Sequence, residues 1–145
     1  MKEYNQYVIF KLQKENYAID ISLVKTIERV THFTRVPNSE EYITGVINLR
    51  GEVIPIINLR KKFGLEDNLN IKESRIIITH SNDISVGLLV DLSSEVIDLD
   101  LNEIDNPPNL NNDDNYDYIK GIGKKNEELY LILDLDKILD LEREE

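Results

Sequence analysis

Short apolar segments with a period of two residues run through most of the chain, and this pattern constrains the fold more than any other feature. Apolar side chains occupy every second position over 17–21, 97–101 and 129–135. Such alternation is typical of strands that have one buried and one wetter face. Other segments are apolar on both faces, as in the inner strands of a barrel or sandwich, at 7–12, 53–57, 75–79 and 86–90.

These segments predict about ten strands, near 7–12, 16–20, 27–32, 45–49, 53–58, 75–80, 85–90, 95–100, 118–123 and 129–133. Because no long helices alternate with them, the pattern favours an all-β protein. Two helices are predicted beside the strands. A short one lies near 21–26, and a C-terminal helix spans 135–142 with Asp134 or Asp136 as its N-cap.

The number of strands bears on the domain organisation. Ten strands are many for one small barrel in 145 residues, so we expect two five-stranded β-barrels, at about 15–80 and 81–134, with the strand 7–12 joining either. A barrel of about 65 residues is only marginally stable alone. We therefore expect the two barrels to pack together through a buried interface, as one domain over residues 1–145.

Charge and composition exclude several classes of protein. The net charge is −11, which argues against nucleic acid because such partners need a basic face. The charge is uneven: residues 1–75 carry 12 Lys/Arg and 10 Asp/Glu, whereas residues 76–145 carry 5 and 18. No apolar run is long enough for a membrane span and the N-terminus lacks a signal sequence. We expect a soluble intracellular protein whose two halves show different faces, or a merely solvated acidic surface.

Sequence motifs for catalysis and for metal binding are missing. The chain has no cysteine, which excludes a disulfide scaffold and a thiolate zinc site, and only two histidines, His32 and His80, in different predicted strands. A dinucleotide-like start at Gly121 has Asn126 where its third glycine belongs. The calcium-loop spacing that opens at Asp98 lacks the glycine and the final glutamate. No cofactor and no metal are therefore predicted.

One block of sequence stands out. Residues 42–65 read YITGVINLRGEVIPIINLRKKFGL, which predicts a β-hairpin with a glycine turn at Arg50-Gly51. The block closely resembles the central signature of the CheW family, the coupling proteins of bacterial chemotaxis. That signature is an aromatic or apolar residue, G-V-x-N-L-R-G, an apolar strand with an internal proline, and then x-L-R-x-x-F. The chain matches each of these features.

The resemblance extends over residues 5–141, in order. Further segments that look like the family's are 7–10, 17–21, 24–27, 35–37, 85–91, 95–97, 118–121 and 131–134. Two departures stand beside it. The family often has glutamate where this chain has Thr26, and the segment 106–115, which predicts a long surface loop, matches no family signature.

The resemblance implies a fold and a function. Family members consist of two SH3-like five-stranded β-barrels, which agrees with the strand count, and they are not enzymes. They join the cytoplasmic hairpin tip of a chemoreceptor to the regulatory domain of the CheA histidine kinase. The implied location is cytoplasmic, with recruitment to membrane-bound receptor arrays and without direct membrane insertion. An alternative is a CheW-like scaffold in a related non-motility chemosensory pathway.

The resemblance also predicts site residues. Seven are predicted for receptor binding: Val24, Ile27, Glu28, Gly45, Asn48, Arg50 and Gly51. Val24 and Ile27 would supply apolar anchors, and Arg50 a planar set of donors for receptor carbonyls or carboxylates. For kinase binding we predict an apolar patch near Gly87 and Val96. Structural alternatives remain open: core packing for the two anchors, a lock between the barrels for Arg50, and backbone requirements for the glycines.

Overall fold

The computed structural model describes residues 4–66, 72–107 and 118–139 and consists mostly of β-strands. The strands are β1 (Tyr4–Leu12), β2 (Glu15–Asp20), β3 (Val24–Arg29), β4 (Ile43–Leu49), β5 (Glu52–Asn58), β6 (Arg75–Ser81), β7 (Ile84–Val90), β8 (Leu92–Asp100), β9 (Ile104–Asp105), β10 (Ile119–Lys125) and β11 (Glu128–Leu133). The helices are α1 (Leu59–Lys62) and α2 (Leu135–Ile138). The predicted all-β class is confirmed.

The strands form two sheets, which belong to two compact units. Unit 1 comprises Met1–Ile21 and Ser94–Glu145 and contains the sheet β8-β1-β2-β11-β10-β9, while unit 2 comprises Ser22–Ser93 and contains β3-β6-β7-β5-β4. The expected boundary at 80/81 is not where the structure divides the chain. That cut falls in the β6–β7 hairpin, whose strands pair along their whole length within unit 2.

Unit 1 is assembled from both ends of the sequence. The N-terminal hairpin β1–β2 joins the later strands because β2 pairs in parallel with β11, with Tyr17 opposite Leu131. In unit 2 the corresponding parallel pair is β5 with β7, where Ile56 lies opposite Gly87. Each unit therefore combines strands from the first and second halves of the chain. Local sequence patterns do not reveal such long-range pairing.

The two predicted helices are shorter than expected. Only Ile21–Leu23 forms a 3₁₀ turn, and the chain is already extended from Val24 onwards. Residues 24–29 form a strand because they pair with β6, and their side chains alternate in exposure as strand side chains do. At the C-terminus Asp134, rather than Asp136, caps α2. Residues 140–142 of the predicted helix and 108–115 of the predicted loop lie outside the described residues.

The β4–β5–α1 segment and the β10–β11–α2 segment share the same local construction. The backbone N–H of Asn58 donates to the Tyr42 carbonyl at 2.8 Å, and that of Asp134 donates to the Tyr118 carbonyl at 2.8 Å. Both Asn58 and Asp134 cap the following helix with a side-chain oxygen. Each hairpin also has a register shift near its start. The two units thus repeat one hairpin–helix design.

Each unit has its own apolar core. The cluster of unit 1 is made of Tyr7, Ile9, Ala18, Leu99, Tyr130 and Ile132. The cluster of unit 2 is made of Ile47, Ile54, Ile56, Ile76, Ile78 and Leu89. Full burial of one such aliphatic side chain stabilises the fold by about 1.5–3 kcal/mol. No helix in the described parts of the chain is long and apolar enough to cross a membrane.

Candidate docking site at the β4–β5 hairpin

The sheet of unit 2 curls, and this curl positions the predicted receptor-binding residues. Its edge strands are β3 and β4. Beyond β3 the chain returns to β4, where Thr34 and Val46 exchange two backbone hydrogen bonds of 2.9 and 2.8 Å. The segment that continues from one edge strand therefore bonds to the other edge.

Gly45 allows this close approach. A Cβ atom at Gly45 would lie 2.5 Å from the carbonyl oxygen of Thr34, well inside van der Waals contact. The structure thus gives Gly45 a backbone role, which is the structural alternative that the sequence left open for the glycines. It is buried and contributes to the site by bringing the Thr34 segment against β4.

The turn between β4 and β5 presents Arg50. Arg50 and Gly51 both have positive φ, 51° and 88°, which is typical of a two-residue type I′ hairpin. The backbone N–H of Gly51 donates to Asn48 Oδ1 at 3.0 Å. Asn48 and Gly51 therefore set the shape of the turn, and Arg50 projects from it with 71% of its side chain exposed.

Two ion pairs connect β3 with this hairpin. Arg50 Nη1 lies 3.7 Å from Glu28 Oε2, and Lys25 Nζ lies 3.5 Å from Glu52 Oε1. Lys25 also donates to Ser85 Oγ at 3.3 Å. Exposed pairs of this length contribute at most about 1 kcal/mol each, so the guanidinium of Arg50 remains available to a partner. Glu28 is less exposed than Arg50 and lies beside it.

The two predicted anchors, Val24 and Ile27, share one face of the sheet. A register shift in β3 places Val24 opposite Thr79 and Ile27 opposite Ile77 on β6. Since Ile77 and Thr79 are two residues apart, their partners point the same way. Ile27 is 43% exposed, whereas Val24 is partly buried. Ile27 is therefore the more accessible of the two predicted anchors.

Thr26, where the family often has glutamate, differs from both anchors. Its Oγ1 is buried and has no hydrogen-bond partner within the described part of the chain. It faces Ile78, which belongs to the core cluster of unit 2. Thr26 therefore points toward the interior of the sheet and adds no accessible polar group to the site.

The two residues predicted for kinase binding do not lie together. Gly87 is buried in unit 2, where an added Cβ would lie 2.5 Å from Ile56 Cδ1 and 2.7 Å from Ile76 Cγ2. It is thus a close-packing position rather than a surface residue. Val96 lies in unit 1 on β8 and is 48% exposed. Val96 is therefore accessible to a partner, as a residue of the predicted apolar patch has to be, whereas Gly87 is not.

Sequence reasoning missed a buried ion pair at the end of the same block. Arg60 is only 9% exposed, and its Nε donates to Asp91 Oδ1 at 2.8 Å, while Nη2 donates to Asp91 Oδ2. Its Nη1 donates to the Glu66 carbonyl at 2.7 Å. The repeated V/I-I-N-L-R at 46–50 and 56–60 draws attention to Arg60 as the counterpart of Arg50. The repeat does not show that Arg50 is exposed and Arg60 buried.

The net negative charge of the chain comes entirely from unit 1. By sequence, unit 1 contains 8 Lys/Arg and 19 Asp/Glu, a net charge of −11, whereas unit 2 contains 9 of each and is neutral. Burial and the neighbouring Glu15 raise the pKa of Tyr17. Burial, Glu128 and Glu95 raise the pKa of Tyr130. Both groups titrate far above neutral pH and belong to unit 1, whereas the hairpin residues belong to unit 2.

The described residues contain no cluster of metal-ligating side chains. Across 4–66, 72–107 and 118–139, no group of three or more His, Asp or Glu side chains could hold a metal ion. His32 and His80 are both exposed. An open depression of about 610 Å³ is lined by residues 35–41, Ile43, Thr44 and Lys61. Around the hairpin, unit 2 presents an exposed arginine, an exposed isoleucine on β3 and a curled sheet edge, which suit protein docking.

Comparison with known proteins gives a consistent result. The model of the CheW-like domain family matches residues 6–143. The "Chemotaxis protein CheW" of Bacillus subtilis is 39% identical over 142 residues, covering 98% of this chain and 91% of that protein. The protein of the same name from Helicobacter pylori is 38% identical over 139 residues, covering 95% and 83%.

A solved structure is similar as well. The scaffolding protein TtCheW from Thermoanaerobacter tengcongensis superposes with a TM-score of 0.86 at 36% sequence identity. The match covers 95% of this chain and 92% of that one. The similarity therefore extends across both sheets and across nearly the whole sequence.

Proposed function

The chain belongs to the CheW-like family of chemotaxis scaffold proteins, and from that membership we propose that it is a non-catalytic adaptor that couples chemoreceptors to the histidine kinase CheA. The coupling needs two separate protein contacts, one for each partner. We assign the receptor contact to unit 2 and the kinase contact to unit 1.

The exposed Arg50 carries the receptor assignment. It projects from a hairpin turn that Asn48 and Gly51 shape, and its only ion pair among the described residues is the long one to Glu28. A guanidinium held in this way offers several unpaired donors to a partner. Ile27 of β3, the strand that carries Glu28, adds an exposed apolar anchor. An apolar anchor beside oriented polar groups is what binding of a helical segment requires.

The kinase contact is assigned to Val96 and its surroundings on β8. Val96 is exposed on an edge strand of the unit 1 sheet, and Leu101, shortly beyond β8, is exposed too. Such accessible apolar residues are candidates for protein contacts. Gly87 is left out of this contact because its backbone is covered by core side chains. Through these contacts the protein would be recruited to membrane-bound receptor arrays without entering the membrane.

Calorimetric titration with two ligands tests the proposal. One ligand is the regulatory domain of a CheA-type kinase from the same cell, and the other is a chemoreceptor cytoplasmic hairpin fragment. We expect binding to each, and undiminished receptor binding when the kinase domain is already saturating. If folded protein binds neither authentic partner, the coupling function is wrong. The alternative, a scaffold of a non-motility chemosensory pathway, would then be tested with that pathway's receptor and kinase.

A further inference from the structure

We propose that the receptor-facing surface of unit 2 recognises carboxylate groups, so that the segment docking there carries acidic side chains around an apolar one. This inference rests on the proposed receptor contact and specifies its chemistry. It concerns Ile27, Arg29 and Arg75, which we call the Ile27 surface.

The main observation is a pair of like charges. In the register of β3 and β6, Arg29 lies directly opposite Arg75. Like charges at opposed positions of neighbouring strands destabilise a sheet. Within the described part of the chain, no carboxylate forms an ion pair with either guanidinium. Arg75 instead donates through Nη1 to the Lys72 and Ser74 carbonyls, at 3.3 and 2.8 Å.

Ile27 lies on the same face as this pair. It faces Ile77, two residues along β6 from Arg75, so its side chain points the way the two arginines do. With a rise of about 3.3 Å per residue, Ile27 and Arg29 are separated by about 7 Å along β3. β3 is an edge strand of its sheet, and both Ile27 and Arg29 are exposed.

Arg50 does not belong to this face. Its partner Glu28 alternates with Ile27 and Arg29 along β3 and lies opposite Ile76, a member of the core cluster of unit 2. The exposed isoleucine is therefore accompanied on its own face by two arginines, and no carboxylate pairs with either of them in the described part of the chain. This local excess of positive charge is complementary to an acidic partner.

The chemistry of the surface favours a protein segment over other anions. Planar guanidinium groups match carboxylates with two parallel hydrogen bonds. The exposed isoleucine needs an apolar counterpart, which a free anion does not supply. An acidic, apolar-anchored face of a helical segment satisfies both requirements.

The experiment titrates the chemoreceptor hairpin fragment into the wild-type protein and into R29Q, R75Q and R35Q. Arg35 is exposed in unit 2, outside the Ile27 surface, so R35Q makes the same change in charge as a matched control. We expect R29Q and R75Q each to weaken binding about tenfold or more, which is the effect of losing one charge-assisted hydrogen bond. R35Q should stay within about twofold of wild type. Added salt should weaken the wild type more than R29Q.

A second fragment, with the acidic residues of its tip changed to amides, completes a double-mutant cycle. For this fragment R29Q should bind as the wild type does. R29Q removes a like-charge repulsion, so it should not melt earlier, which separates binding from folding. If the acidic fragment binds wild type but R29Q and R75Q behave like R35Q, the inference is wrong and the receptor contact stands. If the fragment does not bind wild type at all, both the inferred carboxylate recognition and the proposed receptor contact are wrong.

Discussion

Arg60 and Asp91 form a buried ion pair that joins the start of α1 to the end of β7. Nε and Nη2, along one edge of the Arg60 guanidinium, donate to the two carboxylate oxygens of Asp91, and Nη1 donates to the carbonyl of Glu66. The side chains are only 10% and 16% exposed. Breaking such a pair leaves an uncompensated charge in a poorly solvated place, which costs more than the pair itself contributes.

We therefore expect Arg60→Ala to lower the free energy of unfolding by about 3–5 kcal/mol. Asp91→Ala should cause a loss of similar size, and the double variant should lose less than the two single losses combined. Urea unfolding measures all three, with Arg35→Ala, an exposed arginine of the same unit, as the control. Additive losses would contradict a direct pairing.

Gly45 and Gly51, both predicted for receptor binding, should respond differently to alanine. Gly45→Ala places a Cβ atom 2.5 Å from the Thr34 carbonyl, so the Thr34–Val46 pairing must open at a cost of about 1–3 kcal/mol. Gly51 has free space around it and a φ of 88°, so alanine there costs about 1 kcal/mol through backbone strain. Thermal unfolding compares the two. A larger loss for Gly51→Ala would contradict the backbone role given to Gly45.

Gly87→Ala should act on the core of unit 2. The new methyl group overlaps Ile56 Cδ1 and Ile76 Cγ2, which we expect to lower the free energy of unfolding by about 1–3 kcal/mol. Ile56→Val removes Cδ1, so the double variant Gly87→Ala/Ile56→Val should recover part of that loss. Chemical denaturation of the four proteins gives the result. Unchanged stability in Gly87→Ala would mean that the position is open rather than closely packed.

The buried phenol of Tyr17 should make the stability of the fold depend on alkaline pH. Burial, with a contribution from Glu15, raises the pKa of Tyr17 above its ordinary value of 10.0. The neutral phenol therefore stabilises the folded state fully below pH 10, and this contribution is lost as the pH rises through the folded-state pKa. Tyr17→Phe keeps the ring that stacks on Phe10 and removes the titration. Between pH 8 and 11 the variant should lose less stability than the wild type, as urea midpoints will measure; equal losses would contradict this.

The sequence predicted the strands and the turn between β4 and β5 well, because both depend on local patterns. Alternating apolar residues locate most strands to within a few residues, and the Arg50-Gly51 turn follows from turn chemistry. The division into units could not be predicted, since it depends on which distant strands pair, such as β2 with β11. The same limit explains the short helix expected near 21–26, where pairing with β6 makes Val24–Arg29 a strand.

Two residues show why the site was harder to predict than the fold. Arg50 and Arg60 follow nearly identical sequences, yet one is 71% exposed at a turn and the other is buried against Asp91. Gly87 was expected on a surface, but a glycine in an apolar strand fits equally well where two side chains approach the backbone. A local sequence carries no information about which distant side chains cover it.

The most direct test of the adaptor function compares two charge-introducing variants against both partners. Arg50→Glu reverses the exposed charge in unit 2, and Val96→Glu places a charge in the proposed kinase contact of unit 1. Each variant has a matched control at an exposed residue of the same type, Arg35→Glu and Val36→Glu. All four proteins should keep the wild-type melting curve because the substituted side chains are exposed.

Calorimetric titration of each variant with the receptor hairpin fragment and with the kinase regulatory domain is the measurement. The account predicts that Arg50→Glu loses receptor binding and keeps kinase binding, that Val96→Glu does the reverse, and that both controls bind like the wild type. A folded Arg50→Glu protein that binds the receptor fragment with wild-type affinity would contradict it.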